Sequence, residues 1–240
     1  MPTAEGQKPM HVRRIILCLV AAFLWATHDP GVASGQSSEL TESYNSFITL
    51  YQQGRYTEAE PYAKETLRLG TEEFGPNDPS TAAFLNNLAL LYKAQGRYAE
   101  AEPLYKRSLA IREKALGPGH PDVAASLNNL ALLYQAQGRY AKAEPLYQRS
   151  LANAQKALGP EHPDMATHLN NLAGLYYGQG RYAEAEPLLH RALAILEKTL
   201  GAEHPNVATS LENYAALLRE TARADEAERM EARAKVSTAE

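Results

Sequence analysis

The pattern of apolar and polar positions becomes regular after about residue 38. In one segment Leu127, Leu130, Ala131 and Tyr134 fall at i, i+3, i+4 and i+7, so they share one face of an α-helix. A short turn with a glycine follows, and a second segment of the same kind ends at Gly159-Pro160, a typical helix stop. The pattern therefore predicts pairs of amphipathic helices joined by tight turns.

The helix pair repeats every 42 residues, as the glycines of the recurrent Gly-Arg-Tyr turn show: they stand at 54, 96, 138 and 180. Residues 79–120 and 121–162 are identical at 32 of 42 positions. Such repetition predicts an all-α solenoid of about five helix-turn-helix units that pack on their neighbours. The predicted units are a divergent first unit at 35–78, then 79–120, 121–162 and 163–204, and a divergent C-terminal cap at 205–240. The first unit aligns only with a turn one residue shorter.

The N-terminal segment does not share this period. Two arginines precede a twelve-residue apolar run, residues 15–26, which is short for a membrane span of ~20 residues and suits the hydrophobic region of a secretory signal. We expect residues 1–34 to be a signal peptide cleaved after Ser34, and the protein to be exported, periplasmic or secreted. The alternative is an uncleaved membrane anchor formed by residues 15–26. The single cysteine, Cys18, lies in this segment.

Charge and motifs exclude several function classes. The net charge of −4 gives no electrostatic footprint for nucleic acid. The histidines that recur before proline, at 120, 162 and 204, lie on stacked units ~8–10 Å apart, too far to share one metal, and are predicted helix caps. His168 occurs once and is predicted to be a solvated surface residue, with contact to a ligand beside the asparagine face as the alternative. No phosphate loop, catalytic nucleophile or acid–base pair is present, so we expect no catalytic residue, cofactor, metal or small-molecule substrate.

The motif Leu-Asn-Asn-Leu-Ala-x-Leu-Tyr, followed by Gln-Gly-Arg-Tyr-x-x-Ala-Glu-Pro-Leu, resembles the tetratricopeptide repeat (TPR) of kinesin light chain type over residues 38–237. The resemblance implies a right-handed superhelix whose first helices line a concave groove that binds peptides or segments of other proteins. A non-enzymatic, monomeric binding scaffold is therefore expected. The alternative is a structural component of an envelope complex, assembled through outer faces or solenoid ends. The recurrent tyrosines are expected to pack between helices, with an aromatic ligand cage as the alternative.

The resemblance also implies which side chains line the groove, because the repeat motif fixes the exposed face of each first helix. An asparagine amide there could donate and accept hydrogen bonds along an extended peptide backbone. The neighbouring asparagines at 87, 129, 171 and 213 are second candidates that could instead tie adjacent repeats together. No regular set of Lys and Arg accompanies them, which disfavours recognition of a peptide C-terminus. The expected groove residues are Asn45, Asn86, Leu90, Lys93, Asn128, Leu132, Gln135, Asn170, Tyr177, Glu212 and Arg219.

Overall fold

The computed structural model describes residues 37–236, and within them the secondary structure is ten α-helices without a strand. The predicted signal segment lies outside the described residues. Contacts group the described chain into two compact units, 37–171 and 172–236. The all-α class and the five helix pairs are confirmed. The helices are α1 Ser38–Gln52, α2 Tyr56–Phe74, α3 Pro79–Ala94, α4 Tyr98–Leu116, α5 Pro121–Ala136, α6 Tyr140–Leu158, α7 Asp164–Gly178, α8 Tyr182–Leu200, α9 Pro205–Glu220 and α10 Ala224–Val236.

The first helix of a pair starts behind a capping side chain. The Nδ1 atom of His120 accepts a hydrogen bond from the Asp122 backbone N–H at 3.2 Å, and His204 Nδ1 accepts from Asn206 at 3.1 Å. These bonds satisfy N–H groups that have no partner inside a helix. The recurrent histidines are therefore helix caps, as predicted.

The turn inside each pair closes in the same way in every unit. The Arg97 N–H donates to the carbonyl of Tyr92 at 2.8 Å around Gly96, whose φ is +75°, a Schellman motif that favours glycine. In the first pair Arg55 N–H donates to the Leu50 carbonyl at 2.9 Å. The prediction of a shorter first turn was thus wrong. Helix α1 is itself one residue shorter than α3, 15 residues against 16, and Leu50 takes the place of Tyr92.

The recurrent Arg, Tyr and Glu side chains brace consecutive pairs. Arg97 lies over the ring of Tyr92, 4.2 Å from its centroid, and binds Glu60 of the preceding pair at 2.5 Å. Lys64 and Arg97 hold the pKa of the Glu60 carboxyl down at about 2, against the opposing effect of burial. Arg139 binds Glu102 at 2.6 Å in the same way. A residue type that recurs in each unit therefore joins that unit to its neighbour.

Serine and tyrosine side chains fix the two helices within a pair. Ser108 Oγ donates to the Ala82 carbonyl at 2.7 Å, and Ser150 Oγ donates to the Ala124 carbonyl at 2.6 Å. Tyr105 on α4 is almost completely buried at 1% exposure. The recurrent tyrosines of the first helices, Tyr92 and Tyr134, are buried as the packing interpretation predicts, whereas Tyr140 after the turn is exposed. Each pair is therefore a fixed platform for the exposed side of its first helix.

The unit 172–236 is joined by the same kind of brace. Arg223 binds Glu186 at 2.5 Å, and the Tyr214 hydroxyl donates to the same carboxylate at 3.1 Å. Helix α10 buries little beyond Ala227 and Ala234 and exposes charged side chains, which suits the last helix of an array. None of the described helices is both long and apolar enough to cross a membrane.

Candidate functional site

The paired asparagines of the first helices bond to each other across neighbouring pairs. Asn129 Nδ2 donates to Asn86 Oδ1 at 2.9 Å, and Asn171 Nδ2 donates to Asn128 Oδ1 at 2.8 Å. Asn128 is completely buried. Asn129 and Asn171 therefore tie adjacent repeats together, which was one of the two alternatives for the second asparagines, and Asn86 and Asn128 are their acceptors.

This arrangement changes the expected role of three groove residues. Asn86, Asn128 and Asn170 are 9%, 0% and 7% exposed, so their amides are not on an open surface. Among the described residues the row of bonds ends at Asn87, whose buried Nδ2 has no partner. When the repeats are aligned on the glycine of their common turn, Tyr44 of the first repeat takes the position of Asn86 and Asn128 in the next two.

In the unit 37–171 the partly exposed side of helices α3 and α5 carries small, apolar and amide side chains and one lysine. We call this side the α3–α5 surface. Leu90 and Leu132, two of the expected groove residues, are partly exposed at equivalent positions. Only Lys93 among the surface residues is charged, and its equivalent in the next repeat is Gln135. The surface consists of Ala83, Asn87, Leu90 and Lys93 on α3 with Ala125, Leu132 and Gln135 on α5.

Gln135, the equivalent of Lys93 in the next repeat, contacts the second helix of its own pair. The Tyr147 hydroxyl donates to Gln135 Oε1 at 2.7 Å. The equivalent hydroxyl of Tyr105 is buried and has no hydrogen-bond partner among the described residues. Burial lowers the pKa of the Lys93 ammonium to about 8. One repeat therefore satisfies this contact internally, and the preceding repeat does not.

Two of the expected groove residues of the unit 172–236, Tyr177 and Arg219, are held by internal contacts. Arg219 binds the Glu231 carboxylate at 2.8 Å. The Tyr177 and Tyr182 hydroxyls both donate to the Glu220 carboxylate, at 3.5 and 3.3 Å. Burial, and to a smaller extent the charge of Glu220, raises the pKa of Tyr177 to about 12. The surface of this unit is more acidic than the α3–α5 surface, because Glu212 and Glu220 are exposed.

Asn45 lies on a different surface. It is exposed and lines a depression of about 660 Å³ on α1, together with Glu42, Ser46, Thr49 and Tyr62. By the shared turn, three of these α1 positions correspond to α3 residues that are buried where α2 packs on α3, namely Phe84, Leu88 and Leu91. The depression therefore lies on the first described helix pair, where polar residues stand in place of the apolar ones that internal pairs bury.

His168 differs from its prediction, because it is buried with 5% exposure. Its Nδ1 lies 2.9 Å from Ser150 Oγ. Since Ser150 already donates its proton to the Ala124 carbonyl, the imidazole is the donor in this contact. Burial lowers the pKa of His168 to about 4. The sequence carried no signal for this, because the equivalent residues are Phe84, Ser126 and Ser210.

Within the described residues no three His, Cys, Asp or Glu side chains gather as metal ligands. The geometry instead describes helix-turn-helix repeats joined by braces and asparagine bonds. The sequence profile of the tetratricopeptide repeat matches residues 44–114, 80–156, 122–186 and 164–235. The chain therefore belongs to the tetratricopeptide repeat family.

Solved structures place the repeats with those of kinesin light chain type. The chain is similar to kinesin light chain TPR-like repeats of Podosopora anserina, with 30% identity, a TM-score of 0.68, and coverage of 83% of this chain and 95% of that chain. It is also similar to BtubC (BKLC) from P. vanneervenii, with 26% identity, a TM-score of 0.73, and coverage of 96% and 92%. Aspartyl phosphate phosphatase F from Bacillus subtilis shares the fold at 15% identity, with a TM-score of 0.71 over 84% of this chain and 51% of that one. No curated protein matches the sequence.

Proposed function

We propose that the chain is a non-enzymatic scaffold that binds a peptide or a segment of another protein on the α3–α5 surface. The repeat fold is generally an interaction scaffold, and similar structures include kinesin light chain repeats. The observation that carries the proposal is the partial exposure of Leu90 and Leu132 at equivalent positions of two braced helix pairs. Apolar side chains repeated along rigid neighbouring helices suit an extended segment that crosses both.

Peptide selection tests this proposal directly. Random peptides displayed as fusions are selected on immobilised residues 35–240, and the selected peptides are measured against Leu90→Glu and Leu132→Glu. We expect each variant to weaken binding at least tenfold, because each places a charge on the apolar part of the surface. Ala152→Glu, on an exposed position of α6, is the matched control and should bind as the parent does. Equal binding by all variants, with unchanged circular dichroism, would exclude this surface.

We also propose that the scaffold acts as a monomer. The array end at α1 carries Glu42, Ser46 and Thr49 where internal repeats bury apolar residues, and such polar ends oppose end-to-end stacking. Assembly through the ends or outer faces is the competing function. Light scattering after size exclusion separates the two, since a concentration-dependent increase in mass supports assembly.

We propose that the protein is exported. The support is the apolar run at residues 15–26 behind two arginines and the small residues near Ser34, a pattern typical of a secretory signal. The intact mass of the protein recovered from expressing cells tests this. A mass that begins after Ser34 supports cleavage, and an uncut membrane-associated chain supports the anchor.

A further inference from the structure

Lys93 is a partly buried lysine that has no negative partner among the described residues. Lys64 binds Glu60, Lys106 binds Glu102, and each Arg of the turns binds a carboxylate. Lys93 makes no ion pair or hydrogen bond with the described residues, and burial alone accounts for its lowered pKa. A partly buried ammonium without a counter-charge is unfavourable in the unbound protein.

The surroundings of Lys93 match a chain that passes over it. Leu90 lies one turn before it on α3, and Leu132 is partly exposed on α5. The other residues of the α3–α5 surface are uncharged. A partner segment would thus meet one cation in an otherwise neutral and partly apolar surface.

We propose that Lys93 binds the side-chain carboxylate of an aspartate or glutamate in the bound segment. This rests on the proposed binding function of the α3–α5 surface. The carboxylate supplies the negative charge that Lys93 lacks, and a charged hydrogen bond in a partly dry site is stronger than a neutral one. A side chain is favoured over a chain terminus because one lysine, without a set of further cations beside it, holds the site.

The test compares acidic peptides with their isosteric amides. Peptides selected on residues 35–240 are synthesised with amidated C-termini, which removes the terminal carboxylate, and each Asp or Glu is replaced by Asn or Gln in turn. On the parent protein one such replacement per peptide should weaken binding about tenfold, the effect expected for a charge-assisted hydrogen bond. On Lys93→Gln, which installs the side chain found at the equivalent Gln135, the acidic and amide peptides should bind equally. Lys106→Gln on the outer face of α4 is the control and should keep the tenfold ratio.

The outcomes separate this inference from the function on which it rests. If peptides bind, respond to Leu90→Glu and show the same acid-to-amide ratio on the parent and on Lys93→Gln, the carboxylate assignment is wrong and the binding function stands. If the parent retains no peptide, both are overturned. If the C-terminal amide abolishes binding while the side-chain replacements do not, the site takes a chain terminus and this proposal fails.

Discussion

Replacing Asn128 by alanine tests whether the buried asparagines hold the repeats together or serve a ligand. Asn128 Oδ1 accepts from Asn171 Nδ2 at 2.8 Å. Among the described residues, the other atom of each amide, Asn128 Nδ2 and Asn171 Oδ1, has no partner. The pair therefore has one hydrogen bond and two unpaired buried atoms.

The expected magnitudes follow from counting those atoms. Either single alanine variant loses the bond and still leaves two unpaired atoms, both on the surviving amide, so it should cost the net value of one hydrogen bond, about 0.5–1.5 kcal/mol. The double variant Asn128→Ala with Asn171→Ala leaves none. Since each unpaired buried group costs about 1–3 kcal/mol, the double variant should be more stable than the sum of the two single effects predicts. Relative to that sum, the double variant spares one bond and removes two unpaired groups, so we expect a coupling energy of at least about 2.5 kcal/mol between the two sites.

Urea unfolding of residues 35–240, followed by far-UV circular dichroism and by tyrosine fluorescence, measures these free energies. Asn77→Ala, at an exposed position before α3, is the control and should change stability by less than about 0.5 kcal/mol. Strictly additive single effects would show that no bond joins Asn128 to Asn171. A single variant with parental stability and weakened peptide binding would return this asparagine to the binding site and refute the reasoning.

Three further predictions concern stability. Through His168 the free energy of unfolding should fall by roughly 3 kcal/mol between pH 6.5 and about 4, because unfolded His168 is protonated below its ordinary pKa of 6.5 while burial holds the folded pKa at about 4. His168→Ser, which installs the side chain of the equivalent Ser126, should make the urea midpoint depend less on pH. A midpoint that depends on pH as in the parent contradicts the assignment. Ala222→Gly should raise the free energy of unfolding by about 1 kcal/mol, because Ala222 has a φ of +59°. Gly138→Ala should lower the stability in thermal unfolding by a similar amount, and only through the positive φ, since no heavy atom lies within 4 Å of the added methyl. A stabilising Gly138→Ala or a destabilising Ala222→Gly would exclude backbone strain as the cause. Glu102→Gln should lower the melting temperature more than Glu100→Gln, because Glu102 joins two helix pairs and Glu100 bonds within one helix turn; equal shifts would argue against the brace.

The fold was predictable because its signals are local and repeated. The 42-residue period, the His-Pro cap and the Gly-Arg-Tyr turn each depend on residues close in sequence, and the structure shows the same bonds wherever they recur. The first turn was predicted wrongly because the alignment followed Tyr51, whereas the backbone bond from Arg55 goes to Leu50. The alignment paired one tyrosine with another and so placed the turn one residue wrongly.

The candidate surface was less predictable, since exposure depends on what packs against a helix. Asn86 and Leu90 lie on one side of α3 in any helical projection, yet Asn86 is 9% exposed and bonded to the next repeat while Leu90 stays partly open. His168 was predicted wrongly for the same reason, because α6 covers it.

The sequence by itself determined the helix pairs, their number, their caps and turns, and the family, because these follow from hydrogen bonds and apolar faces within about one repeat. Only the tertiary structure decided which polar side chains are left for a partner. Neighbouring repeats compete for the same amides, carboxylates and hydroxyls, and stacking gives most of them internal partners. The sequence shows that Lys93 is a cation, and only the structure shows that it is partly buried and pairs with no carboxylate of the described residues.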